Sequence, residues 1–180
     1  MAKIRSSLLA LLATASLTGT LVAHVTDASA ADLAAIADRM AAEDLILDYY
    51  AQLGTPDSDF GRFWAKEGVF DVNGVIFRGA EAIEGIYKKT IAGRSQPGGR
   101  HGIRMVVSNL QVKVSGKTAT ARMYWTELTA DKVTDPPVVI EYGIETAELV
   151  KQDGRWLYKL RTITSDGGMD PELLKTWKRH

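Results

Sequence analysis

Four consecutive runs rich in β-branched and aromatic residues, at 101–114, 117–130, 138–151 and 155–165, fill most of the second half of this chain. Each is about twice the usual length of a strand. The links between them carry Ser115-Gly116, Asp135-Pro136-Pro137 and Asp153-Gly154, all residues that favour tight turns. The pattern predicts an antiparallel meander, and strands this long twist, bulge and curl. A curled sheet has a concave face that something must cover, and the first half of the chain supplies helices. Helices gathered before a meander indicate an α+β fold, not an alternating one.

The helices are read from apolar spacing. Asp32 is a suitable N-cap for a helix through LAAIADRMAAEDLILDYYAQL, on which Leu33, Ile36, Met40, Leu47 and Tyr50 recur at helical intervals; Gly54 and Pro56 end it. A short second helix is expected after Asp57-Ser58-Asp59, carrying Phe60, Phe63 and Trp64. VFDV and VIFR, on either side of Asn73-Gly74, predict a β-hairpin. A third helix is expected over 79–91. The fold class is therefore three N-terminal helices on a strongly curved, antiparallel or mixed sheet, forming a cone with an internal pocket.

The extreme N-terminus has the composition of a secretory signal. Lys3 and Arg5 precede the apolar stretch LLALLATASLTGTLVA, and Ala28-Ser29-Ala30 fits a cleavage site. The expected organisation is a signal peptide over 1–30, a cone domain over 31–168 and a tail over 169–180, with the mature protein periplasmic or secreted and free of the membrane. The chain contains no cysteine, so a disulfide scaffold is excluded. Its 22 basic and 22 acidic side chains balance, without the basic stripe of a nucleic-acid-binding protein. Three histidines with no ligand-like spacing give no metal site, and no glycine motif suggests a nucleotide cofactor.

The segment LILDYYAQLGTPDSDFGRFWAKEGVFDVNGVIFRGAEAI resembles the opening of the SnoaL-like family of the nuclear-transport-factor-2-like superfamily. SNLQVKVSGKTATARMYW and DGRWLYKL resemble its first long hairpin and last strand, so the likeness spans nearly all of 32–165. It implies a cone fold with a buried pocket, as in scytalone dehydratase, dehydrochlorinases, ketosteroid isomerases and polyketide cyclases. Its eliminating enzymes use an Asp–His pair for proton abstraction. Carried onto this chain, the aspartate position falls on Gly54. The histidine position, four residues before the asparagine of Ser108-Asn109, falls on Met105. Neither residue can move a proton.

Other residues could. His101 lies four before Met105, on the same side of a regular strand. In the second long strand Ala119, Ala121, Met123, Trp125, Glu127 and Thr129 share one parity, which makes Glu127 an acidic group on an apolar wall. Tyr50 offers a hydroxyl. The candidate catalytic set is thus His101, Tyr50 and Glu127, against the alternatives of a rim histidine, a glutamate at the pocket mouth and a core tyrosine. Phe63, Trp64, Phe70, Tyr87, Met105, Met123, Trp125 and Tyr142 are the candidate substrate-binding residues, suited to a small hydrophobic or aromatic molecule. Glu141 or Glu145 is expected to meet Arg122 or Arg161 across strands, on the outer face by default, an inward pair being the weaker option. Three functions remain open: a cofactor-independent lyase or isomerase, a non-catalytic binder of a hydrophobic ligand, and a scaffold that dimerises through the sheet.

Overall fold

Alternation of apolar and polar residues decides how the second half folds. In a computed structural model describing residues 12–53, 59–94, 104–130, 132 and 134–168, six strands form one mixed sheet. The strands are β1 (Trp64–Val72), β2 (Val75–Arg78), β3 (Arg104–Ser115), β4 (Thr118–Thr129), β5 (Val138–Gln152) and β6 (Arg155–Gly167). Their spatial order is β2-β1-β6-β5-β4-β3; β1 and β6 run parallel, and every other pair is antiparallel. Two α-helices are described, α1 (Leu12–Ala51) and α2 (Ala80–Arg94). The chain divides into compact units at 1–38 and 39–180. Within the first unit the described residues are helical. The second holds the sheet, α2 and the core.

Three expectations need correction. The predicted second helix is a single 3-10 turn, Gly61–Phe63, after which Trp64 is already extended and opens β1. One turn suffices to bury Phe60 and Phe63 on one side, and Asp59 accepts a hydrogen bond from the Arg62 N–H. Asp32 does not cap a helix, because α1 runs through it without a break. Nor is the inner face of α1 the one expected: Leu33, Ile36, Met40 and Leu47 are exposed, and of the expected stripe Tyr50 alone is buried, beside Ala42, Ile46 and Tyr49. The buried face carries two aromatic rings, and their larger apolar area wins the core.

The hairpin at Asn73-Gly74 forms as expected, with both residues in the left-handed region (φ 53° and 88°) that its tight turn requires. Asn73 also fixes the turn to β6. Its side-chain amide donates to Ser165 Oγ at 2.9 Å, and its carbonyl accepts the Ser165 N–H at 2.8 Å.

Bulges curve the long strands and change which residues face inward. In β3, Asn109 (φ 52°) and Leu110 interrupt the pairing with β4, so inward parity passes from Met105 and Val107 to Leu110, Val112 and Val114. The Ser108-Asn109 landmark therefore marks the start of a bulge. In β6, Lys159 is the extra residue between the Tyr158–Leu149 and Leu160–Glu148 pairs. Trp156 and Tyr158 before it, and Arg161 and Ser165 after it, are consequently all buried.

Candidate functional site

The buried face of β5 reads Gly143, Glu145, Ala147, Leu149. A carboxylate is thereby carried to the centre of the sheet, where Glu145 is entirely excluded from solvent. The β6 bulge turns Arg161 to the same side, and its Nη2 lies 2.6 Å from Glu145 Oε2. Isolating either charge from water would cost several kcal/mol, so the arrangement depends on neutralisation at close range. The expectation of an outer-face bridge is overturned: the pair is inward because Glu145 has the parity of the core and a bulge gives Arg161 the same parity.

Helix α1 completes the cluster. Tyr50 Oη donates to Glu145 Oε2 at 2.5 Å and accepts from Arg161 Nη2 at 3.0 Å. From α2, Tyr87 Oη accepts from Arg161 Nη1 at 3.0 Å and is in turn the acceptor for Tyr49 Oη. Aromatic rings surround the guanidinium, with Tyr49, Phe70, Tyr50 and Tyr158 at 4.3, 5.0, 5.2 and 5.8 Å from Arg161 Cζ to the ring centroids. Cation–π attraction of this kind strengthens when water is excluded, to about 2 kcal/mol at its best.

Protonation follows from the same geometry. Burial raises the Tyr49, Tyr50, Tyr87 and Tyr158 hydroxyls above the ordinary tyrosine range, and nearby Glu145 pushes Tyr50 and Tyr158 further. Desolvation pulls Arg161 down, but Glu145 and the tyrosines outweigh it and hold the guanidinium well above its ordinary value. The cluster thus sets one cation and four neutral hydroxyls around Glu145.

Its hydrogen bonding is incomplete. Glu145 Oε1, Arg161 Nε and Tyr158 Oη are buried without a partner, as are the indole N–H groups of Trp64, Trp125 and Trp156. Unpartnered buried donors and acceptors are rare because each costs about 1–3 kcal/mol.

The sequence candidates divide on this frame. Tyr50 and Tyr87 bond directly to the ion pair. Phe63, Trp64 and Phe70 belong to the surrounding aromatic cluster, with Trp64 and Tyr158 ring centroids 5.1 Å apart and Tyr49 and Phe63 5.3 Å apart. Met123, fully buried, is the register partner of Glu145, and buried Trp125 follows it on the same face. Met105 is partly buried against the core. Glu127 is half-buried in register with Met105 and Glu141, four residues along β4 from Met123 and so about 13 Å away. Tyr142 must be removed from the inner wall: it is 48% exposed, because Gly143 and Glu145 take the inward parity of β5. His101 and Gly54 lie outside the described residues. Among the described residues no cluster of three or more His, Cys, Asp or Glu side chains could hold a metal.

Glu145, Arg161, Tyr49 and Tyr158 were not among the candidates. The alternation of Gly143, Glu145, Ala147 and Leu149 was a readable signal for Glu145. No such signal existed for Arg161, whose facing depends on the bulge.

Comparison with known proteins agrees with this architecture. An NTF2-like protein with a cystatin-like fold from Novosphingobium aromaticivorans superposes with a TM-score of 0.65 at 18% identity, over 83% of this chain and 95% of that one. The hexachlorocyclohexane dehydrochlorinase LinA-type3 from Novosphingobium barchaimii gives 0.60 at 19% identity, over 76% and 91%. A candidate scytalone dehydratase from N. aromaticivorans gives 0.55 at 23%, over 79% and 89%. At these identities the likeness establishes the fold. No curated protein matches the chain in sequence. The SnoaL-like domain profile matches residues 28–162, three quarters of the length, and the chain belongs to the SnoaL-like domain family.

Proposed function

We propose that this chain encloses a small hydrophobic or aromatic molecule beneath its helices and acts on it as a cofactor-independent lyase or isomerase, with the Arg161–Glu145–Tyr50 cluster as the polar end of the site. The observation that carries this reading is a fully buried ion pair among protonated hydroxyls with Glu145 Oε1, Arg161 Nε and Tyr158 Oη left without partners. Glu145 Oε1 is the group to accept a proton. Tyr50 and Arg161 orient that carboxylate, and a neutral tyrosine hydroxyl donates to an oxygen on which negative charge develops. A general base of this kind contributes about 10²–10⁴-fold. Glu127, nearer the other end of the sheet, stands with His101 as a second acid–base set in this proposal.

A library of neutral aromatic and terpenoid compounds, screened by thermal shift, supplies ligands. Deuterium uptake from D2O by each bound compound then reports proton transfer. Glu145→Gln should lower the exchange rate about 100-fold with the ligand still bound; unaltered exchange in that variant would exclude Glu145 as the base.

Gly54 and Met105 at the usual Asp–His positions favour a second reading, in which the same interior binds a hydrophobic ligand without transforming it. Binding with no exchange in the wild type supports it. On either reading, export after cleavage at Ala30 and a homodimer through the outer face of the sheet are part of the proposal. Val106, Tyr124 and Tyr142 lie exposed on neighbouring strands of that face, as a dimer surface requires.

A further inference from the structure

The unpartnered atoms of the cluster are unequal in kind. Arg161 Nε and Trp64 Nε1 can only donate, Tyr158 Oη carries a proton, and Glu145 Oε1 alone can only accept. Trp64 and Tyr158 are ring neighbours, Tyr158 lies beside the guanidinium, and Glu145 is bonded to that guanidinium. The charge of Arg161 is already matched. Glu145 Oε2 occupies Nη2 as the carboxylate of a bound acid would, and Nη1 is taken by Tyr87.

We propose that Glu145 acts as a built-in counter-anion that makes the interior selective for neutral molecules bearing an acceptor oxygen, a carbonyl or quinone group, received by Arg161 Nε, Tyr158 Oη and Trp64 Nε1. The proposal rests on the small-molecule reading above. A ligand carboxylate would have to enter beside Glu145, placing two anions against one cation in a site closed to bulk solvent, and like charges so placed repel strongly. A ligand lacking any acceptor would leave the donors as they are, at the cost of buried unmade hydrogen bonds. A ketone meets both conditions.

The test uses the full-length chain and three probes on one skeleton: acetylnaphthalene, naphthoate and ethylnaphthalene, with dissociation constants from isothermal titration. The same three headgroups are carried on another ring system if the screen returns one that binds better. The ketone should bind at least about tenfold tighter than either the carboxylate or the hydrocarbon. Tyr158→Phe should bring the ketone down toward the hydrocarbon while the hydrocarbon itself is unchanged. Glu145→Gln should raise carboxylate affinity about tenfold by exposing the Arg161 charge. Wild-type binding of naphthoate or ethylnaphthalene as tight as that of the ketone would overturn the proposed selectivity and leave the small-molecule reading intact. If no skeleton binds in any form, both fall. Should Glu145→Gln fail to fold, the wild-type series and Tyr158→Phe still decide the matter.

Discussion

Arg161 Nη2 and Glu145 Oε2 lie 2.6 Å apart on adjacent strands with neither side chain reaching solvent. A pair in this position is interdependent. Removing one partner leaves a buried charge uncompensated, whereas removing both leaves only volume to fill. Arg161→Met is therefore expected to destabilise the fold by about 3–5 kcal/mol, and Arg161→Met with Glu145→Leu to recover most of that loss. Urea denaturation of the two single variants and the double variant gives the coupling directly. Additive losses would show that the pair is not coupled.

The buried tyrosines predict an alkaline limit. Tyr49, Tyr50, Tyr87 and Tyr158 are raised above the ordinary tyrosine value of about 10 by burial. Below that value folded and unfolded chains are equally protonated at these sites, so their contribution is fully present. Above it the unfolded chain releases protons that the folded chain retains, and stability falls by about 1.4 kcal/mol per pH unit for each such group. Denaturation midpoints should hold steady at these sites up to about pH 10 and then drop steeply. Tyrosinate absorbance should develop for these four residues only with loss of the circular-dichroism signal. Full ionisation in a folded protein would contradict the assignment.

Close backbone approach at the β5–β6 bulge predicts intolerance of any side chain at Gly143. A Cβ built there would lie 2.0 Å from the Thr164 carbonyl oxygen and 2.9 Å from Ser165 Cα, both backbone atoms. Gly143→Ala should lose about 1–3 kcal/mol or more and loosen Ser165, which Asn73 clamps. Thermal unfolding measures the loss, and amide exchange at Ser165 reports the clamp. A wild-type melting temperature would mean that the strands separate at little cost.

The outer face predicts association. If the protein dimerises there, Val106→Lys with Tyr142→Lys should shift sedimentation from dimer to monomer without altering the melting temperature of the separated chain. A mass unaffected by the two lysines would place any dimer elsewhere.

Much of this architecture is legible in the residues. The alternation in β4 places Ala119, Ala121, Met123 and Trp125 inward, and each is buried. Asn73-Gly74 specifies its hairpin because few other residues accept two successive positive φ angles. The site is less legible. Arg161 reaches the inner face because Lys159 is bulged, and period two alone cannot reveal which strand holds an extra residue. Tyr49 lies on the buried stripe of α1 with Ala42 and Ile46, in competition with Leu33, Ile36, Met40 and Leu47, and the spacing of either stripe is helical; Tyr50 belongs to the expected stripe and is buried all the same. Aromatic area decides between them only once the sheet is in place.

The central claim is that a ligand meets the chain at the Arg161–Glu145–Tyr50 cluster. A crystal structure with the tightest-binding neutral carbonyl compound tests it most directly. The account predicts the ligand oxygen about 3 Å from Arg161 Nε or Tyr158 Oη, with the Arg161–Glu145 pair unbroken. A ligand seated on the outer face, or inside but with both of those atoms still unpartnered, would contradict it.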